Sequence, residues 1–270
     1  MSGIITLTTD FGISDSYVGT MKGVILGIAP DVRLVDITHA IAPQGIHQAA
    51  YIVQSYYTYF PNGTIHVVVV DPGVGSARRL VALRTPRFAF VAPDNGVLTY
   101  IWRDALAAYG REQLAVHEVT ERRYWRETVS NTFHGRDVIA PVAAHLAAGI
   151  DLALLGPALD APIEASLDQP RTGRSGELIG KIIHLDNFGN CVSNITRAHL
   201  RQAAFGERVT VHVIGQRIPG VLTTYAEAGM GELLALFGSS DRLEIAVRNG
   251  NAAQTLGAGV GDVVKVFRGA

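Results

Sequence analysis

Residues 67–79 read VVVVDPGVGSARR, and the fold is decided by how this stretch is read. Four consecutive Val residues suit a strand buried on both faces, as in a parallel sheet covered by helices on each side. An acid follows immediately, with two Gly and two Arg in the next eight positions. Asp71 is therefore either a turn former or a group held at the edge of a site.

Working outward, strand and helix patterns alternate. IITLTTD (4–10) reads as a first strand, and SYVGTMKGVILGIAP (16–30) as a helix that Pro30 ends. RLVDIT (33–38) is a second strand, followed by the helix GIHQAAYIVQSYYTYF (45–60) and a PNG turn. RLVALRTPRFAFVAPD (79–94) offers two extended segments interrupted by Pro86. NGVLTYIWRDAL (95–106) and the Ala-rich DVIAPVAAHLAAG (137–149) are further helices. This alternation predicts an α/β domain with a mostly parallel sheet over 1–165. Residues 166–178, Pro-bearing and aperiodic, read as a linker. Beyond them come short strands with Gly-rich turns: ELIGKIIHLD, RVTVHVIG, GELLALFG, RLEIAVRN and DVVKVFRG. They predict a small all-β barrel domain over 179–270.

Composition excludes several classes of function. With 23 basic and 24 acidic residues the net charge is −1, so neither nucleic acid nor an anionic membrane surface is an expected partner. A lone Cys191 rules out an internal disulfide framework, and no Cys or His spacing typical of a metal site occurs among the nine His. The start MSGIITLTTD lacks a basic n-region with a long apolar run, and no stretch approaches a membrane span. The expectation is a cytoplasmic protein that needs no metal.

The candidate chemistry lies at strand ends. Ligands of an open parallel sheet gather beyond the carboxyl ends of its strands. Asp10 and Asp71 both stand there, each followed by Gly within two residues. His134, in the loop NTFHGRD (131–137), has Gly135 leaving room beside it. With Asp71 and Arg78 it makes a polar set able to hold and deprotonate a small nucleophile such as water. In the second half, HLDNFGNCVSNI (184–195) crowds polar groups around Phe188 and Gly189; it is either a polar hairpin or a surface for an amino-acid or nucleoside group. FGSSDRLEIAVRNGNAA (237–253) adds small-residue loops whose backbone could read an adenine edge. Other motifs fail their context. TTDFG has no Gly-rich loop before it, and GVGSAR puts Arg78 where a dinucleotide loop needs its third Gly.

Taken in order, TTDFGxxDSYVG, VVVVDPGVGSARR, VAPDNG, FHGRD, HLDNFGN and LEIAVRNGNAA resemble the S-adenosylmethionine hydroxide adenosyltransferases, relatives of the S-adenosylmethionine-dependent fluorinases and chlorinases. The resemblance spans Asp10 to Ala253. It implies hydrolysis of S-adenosyl-L-methionine to adenosine and L-methionine, with no cofactor, in homotrimers that bind substrate between subunits. The Asp, Arg and His that organise water in the hydrolase branch match Asp71, Arg78 and His134. The ribose-binding acid matches Asp10, and Asp15, Ser16 and Tyr17 fall in the substrate-binding loop, with Gly135 beside the reacting centre. The methionine segment matches Asp186 and Asn190, and adenine contacts fall on Ser239, Ser240, Asn251 and Ala252. The halogenases carry no acid at the position of Asp71. A carboxylate ~4 Å from a halide would cost about 4 kcal/mol at an effective dielectric of 20, so water is the expected nucleophile. A halogenase, or a nucleoside-binding protein without chemistry, are the alternatives.

Overall fold

The structure is a computed structural model that describes residues 3–205 and 208–269, so Met1 and Ser2 of the amino-terminal reading lie outside the described residues. The chain divides into two compact units, Met1–Ser166 and Leu167–Ala270.

In the first unit, strands β1 (Ile4–Thr9), β2 (Arg33–Thr38), β3 (Ile65–Val69), β4 (Leu80–Arg84), β5 (Ala89–Pro93) and β6 (Ala115–Glu118) form one sheet in the order β2-β1-β3-β5-β4-β6. Pairings β1–β2, β1–β3 and β3–β5 are parallel, while β4 runs against both β5 and β6. Pro86 breaks the chain at the tip of the β4–β5 hairpin, where it removes no ladder hydrogen bond. β6 has little signature in the sequence, because AVHE is too short and polar to stand out.

The Val run explains why both faces must be covered. Val67 and Val69 pack with α1 (Tyr17–Ile28) and α4 (Ala140–Ala147), whereas Val68 and Val70 pack on the opposite face with α2 (Ile46–Tyr56) and α3 (Thr99–Tyr109). All four Val are at most 3% exposed, so a polar residue at any of them would lose its water without gaining a partner.

The helix expected at 137–149 begins differently. Residues Gly135–Ile139 form a π-helical turn that runs into α4. Pro141 has no N–H to give Asp137, and the freed Asp137 carbonyl instead accepts from Arg126 N at 2.9 Å.

The second unit is an antiparallel barrel. Its strands β7 (Arg171–Thr172), β8 (Leu178–Leu185), β9 (Cys191–Thr196), β10 (Val209–Val213), β11 (Gln216–Pro219), β12 (Leu233–Phe237), β13 (Arg242–Val247) and β14 (Val263–Arg268) follow the order β11-β10-β14-β8-β9-β13-β12, with β7 on β8. A single parallel bridge, Leu222 to Leu236, nearly closes it. Helices α5 (Arg197–Gln202) and α6 (Ala252–Leu256) connect strands. β9 lies inside the segment that reads as polar. Ser193 and Asn194 are buried, with Asn194 Oδ1 accepting from Lys181 N at 2.8 Å and its Nδ2 donating to Asp168 O at 2.7 Å. They hold the barrel and do not present themselves to a ligand.

One buried group gives the first unit a pH limit. His66 Nδ1 meets Thr6 Oγ1 at 2.8 Å, its ring stacks on Phe90 at 5.0 Å, and Nε2 has no partner among the described residues. Burial pushes its pKa down from 6.5 to about 3. The unfolded chain therefore binds a proton below pH 6.5 that native His66 refuses, and stability falls on acidification through that window by roughly 1.4 kcal/mol per pH unit. Urea denaturation at pH 6.5 and 5 is expected to give a smaller loss for His66→Phe than for the parent chain; equal losses would contradict this assignment.

Candidate functional site

The carboxyl ends of β1 and β3 and the loop before α4 enclose a cavity of about 270 Å³, at the small end of ligand pockets. Asp10, Phe11, Gln44, Val69, Asp71, Val74, Phe133, His134 and Gly135 are among its lining residues. Four of the residues singled out in the sequence thus share one pocket, although they come from loops far apart in the chain.

Asp71 leaves β3 directly into this cavity. Arg78 holds its carboxylate side-on: Nε donates to Oδ1 at 3.0 Å and to Oδ2 at 2.9 Å, and one terminal nitrogen donates to Oδ2 at 2.5 Å. That same terminal nitrogen lies 2.8 Å from His134 Nδ1. A guanidinium can only donate, so Nδ1 must accept and the neutral ring carries its hydrogen on Nε2. Arg78 and Asp71 side chains are 13% and 6% exposed, which makes the pair strongly felt. The His134 pKa is lowered, first by burial and then by the positive charge of Arg78, against the opposing pull of Asp71 and Asp137. The arrangement is a carboxylate and a neutral imidazole facing one cavity, locked together by a cation.

The surrounding elements fix these three groups. Asn95 Nδ2 donates to Val70 O at 2.8 Å while its Oδ1 accepts from Val97 N at 3.2 Å, pinning the last turn of chain before Asp71. Gly75, at φ +79°, brings the β3–β4 loop so close to the Asn131 carbonyl that a Cβ would collide with it. Asp137 is fully buried and accepts from Arg126 at 3.0 Å, from Arg136 at 2.6 Å and from Ser130 N at 2.8 Å. Together these contacts hold the His134 loop. Asp137 has a lowered pKa; burial alone would raise it, and the bonds from Arg136, Ser130 and Arg126 outweigh that.

Asp10 lies on the other side of the cavity, where its Oδ2 accepts from Gln44 N at 2.8 Å. Phe11, Tyr17 and Phe133 form an edge-to-face and tilted cluster with ring centroids 5.1 to 5.7 Å apart. Tyr17 remains 46% exposed at the start of α1. Asp15 and Ser16 are exposed beside it, and the Ser16 side chain makes no cap bond to α1.

The remaining candidates sit in the barrel unit. Asp186 Oδ1 accepts from Phe188 N at 2.9 Å and Asn190 N at 2.8 Å, and its Oδ2 accepts from Asn190 Nδ2 at 2.8 Å. Gly189, at φ +82°, turns there, and its carbonyl accepts from Ala253 N at 2.9 Å. Asn251 caps α6 through Gln254 N at 2.8 Å, and a Cβ on Gly189 would strike its side chain. Asp186, Asn190, Asn251 and Ala252 are therefore one neighbourhood. Ala252 is fully buried, so only its backbone could serve a ligand. Ser239 and Ser240 lie in the turn between β12 and β13, after Gly238, where an added Cβ would strike Glu244. Glu244 is buried on β13 and accepts from Tyr225 Oη at 3.2 Å. Burial first, and then Asp186 nearby, raise its pKa.

Sequence reasoning passed over Thr9, Gln44, Asn95, Asp137, Phe133 and Tyr225. Asn95 and Asp137 stand inside the motifs VAPDNG and FHGRD, a signal that could have found them. Gln44 acts through its backbone at φ 65°, which its side chain does not advertise. Among the described residues no group of three or more His, Cys, Asp or Glu could hold a metal ion, and no helix is long and apolar enough to cross a membrane.

Fold and pocket together define a small-molecule site at the carboxyl edge of a largely parallel sheet, in a chain that continues into a barrel. Residues 5–156 match the SAM hydroxide adenosyltransferase N-terminal domain and residues 180–265 the C-terminal domain, and the chain belongs to that family. It is 36% identical to an (R)-S-adenosyl-L-methionine hydrolase of Salinispora tropica, with 98% of each chain covered. A protein of the same name from Thermus thermophilus is 37% identical, over 96% of this chain and 97% of its own. A fluorinase of Actinoplanes sp. is 30% identical over 84% of each chain. The solved structure of an uncharacterised conserved protein from Thermotoga maritima superimposes with a TM-score of 0.87 at 34% identity, covering 98% of this chain and all of that one.

Removing Asp137 leaves two Arg and one backbone N–H facing an empty acceptor. Asp137→Ala is expected to cost about 3 kcal/mol in chemical denaturation, while Arg126→Ala, whose side chain is 44% exposed, costs under about 1 kcal/mol. Similar costs for the two variants would contradict the role given to Asp137.

Proposed function

We propose that this protein hydrolyses S-adenosyl-L-methionine to adenosine and L-methionine, with water attacking the ribose C5′. The carrying observation is the Asp71–Arg78–His134 chain, which faces the same cavity as Asp10. The relatives named as (R)-S-adenosyl-L-methionine hydrolases support the substrate.

The chemistry follows from the donors and acceptors. The new bond forms between water oxygen and C5′, and the C5′–S bond breaks with its electron pair passing to sulfur. The sulfonium thereby leaves as a neutral thioether and needs no protonation, so no metal or cofactor is required of this mechanism. The water proton goes to Asp71. Asp71 Oδ1 accepts only once from Arg78 and keeps a lone pair, whereas Oδ2 accepts twice and His134 Nδ1 is already accepting from Arg78. His134 then orients the water through its Nε2 hydrogen, and Arg78 holds both partners in register. Asp10 binds the ribose hydroxyls, and Asp15, Ser16, Tyr17 and Gly135 shape the approach to C5′. Asp186 and Asn190 take the methionine end. Ser239, Ser240, Asn251 and Ala252 meet the adenine.

This reading includes a cytoplasmic homotrimer, in which residues of a neighbouring subunit complete each site. The exposed side chains of Tyr17 and Phe188, which the fold leaves unburied, support it. Sedimentation at micromolar concentration should give three times the 28.9 kDa chain mass. A halogenase is disfavoured by the Asp71 carboxylate in the cavity, which would repel a halide.

Purified protein incubated with each sulfur epimer of S-adenosyl-L-methionine, with and without chloride or fluoride, should release adenosine and methionine in every case. A 5′-halogenated nucleoside would support halogenation, and tight adenosine binding without methionine release would support a sensor. Asp71→Asn and Arg78→Ala are expected to lower kcat by about 10²-fold to 10³-fold with smaller effects on KM, whereas Asp10→Ala should raise KM as well. Protonated His134 could no longer accept from Arg78. Since its pKa lies below 6.5, activity should hold down to about pH 6.5 and fall only below it. A loss that sets in well above pH 7 would contradict that assignment.

A further inference from the structure

The end of β1 is tied to the loop after β2 by groups outside the catalytic set. Thr9 Oγ1 accepts from Phe11 N at 3.2 Å and meets His39 Nδ1 at 2.9 Å. The His39 carbonyl accepts from Gly12 N at 2.7 Å. Five residues further on, Gln44 N donates to the Asp10 carboxylate at 2.8 Å. One loop therefore grips Thr9, Asp10 and Gly12 in turn.

We propose that His39 is a positioning residue for the reaction, setting the place of Asp10 and Phe11 and so the affinity for the nucleoside end of the substrate. This rests on the reading of Asp10 as the ribose-binding acid. His39 is 8% exposed and Thr9 fully buried, and neither lines the cavity. Their effect on substrate must pass through the residues they hold.

Asp36 gives the chain a direction, because its carboxylate beside His39 Nε2 favours the ring hydrogen there and leaves Nδ1 to accept. One lone pair of the Thr9 hydroxyl is occupied by Phe11 N–H, and its hydrogen is free to go to His39 Nδ1. The ring then carries its own hydrogen on Nε2, which lies 3.1 Å from Asp36 Oδ1. That approach is off the angle of a good hydrogen bond, so Asp36 steadies the ring by its charge. Lys22 Nζ in turn holds Asp36 Oδ2 at 2.5 Å. Thr9 immediately precedes Asp10, so a Thr9 side chain without His39 is free to rotate and release Phe11 N. Asp10 and the Phe11 ring, both in the cavity lining, would lose their common reference.

The test compares His39→Ala, His39→Asn and Thr9→Val with the parent chain, reading kcat, KM and the calorimetric Kd for adenosine. Losing a hydrogen bond of this kind corresponds to about tenfold, so Ala and Val should each raise KM and Kd about tenfold with kcat nearly unchanged. Asn can still reach Thr9 Oγ1 from the place of Nδ1 and should recover most of the loss. The inference is overturned if KM and Kd stay at parent values, if kcat falls instead, or if Asn is no better than Ala. Should His39→Ala fail to fold, the near-isosteric Thr9→Val carries the same expectation. A parent chain that binds adenosine but releases no methionine would sink the hydrolase reading alone, because the adenosine Kd values still decide the role of His39.

Discussion

The guanidinium of Arg78 serves a carboxylate and an imidazole at once, and the site's geometry depends on that double engagement. A carboxylate 6% exposed would be costly without a partner, and Arg78 supplies one that is always charged and rigidly forked. By donating to His134 Nδ1 it also selects the tautomer of the ring. Its charge opposes protonation of that ring, together with burial. Through a single side chain the protein gives a buried carboxylate its partner and opposes protonation of an imidazole a few ångströms away. In the proposed mechanism that pairing is what separates the acceptor of the proton from the donor that orients the oxygen.

Much of the first unit can be understood as the support for this contact. The Val run is anchored on both faces, so the point where Asp71 leaves the sheet cannot wander. Asn95 fixes the carbonyl just before it. On the other side, the missing N–H of Pro141 opens a π turn, and the carbonyl of Asp137 that this frees is taken by Arg126. The buried side chain of Asp137 then gathers Arg136 and the backbone of Ser130. His134 is presented at the head of that turn. Wide π turns recur at functional positions because they break the regular ladder where a side chain has to be aimed.

The layout of both units was legible in the sequence because it rests on periodicity. A both-faces-buried strand announces itself as VVVV, and Gly-punctuated strands announce a barrel. What was hidden rests on contacts that have no local signature. β9 is masked by Ser193 and Asn194, whose polarity suits a polar hairpin or a ligand surface alike, and which are consumed by the barrel's own backbone. The π turn depends on one proline and a distant acceptor. Asp71, Arg78, His134 and Asp10 are recognisable as types, and the structure brings Asp71, His134 and Asp10 into one pocket, with Arg78 bonded to the first two. Gln44 could not be recognised, since it acts by an N–H in a backbone conformation that glutamine seldom adopts. The same holds for Thr9 and His39, whose roles exist only as mutual contacts.

The central claim is that Asp71, Arg78 and His134 deliver water to C5′. It is tested most directly by running the reaction in ¹⁸O-labelled water and analysing the adenosine by mass spectrometry. Attack by water at C5′ puts one labelled oxygen in the 5′-hydroxyl of every adenosine formed, and the rate should collapse in Arg78→Ala. Unlabelled adenosine, or full turnover without Arg78, would contradict it.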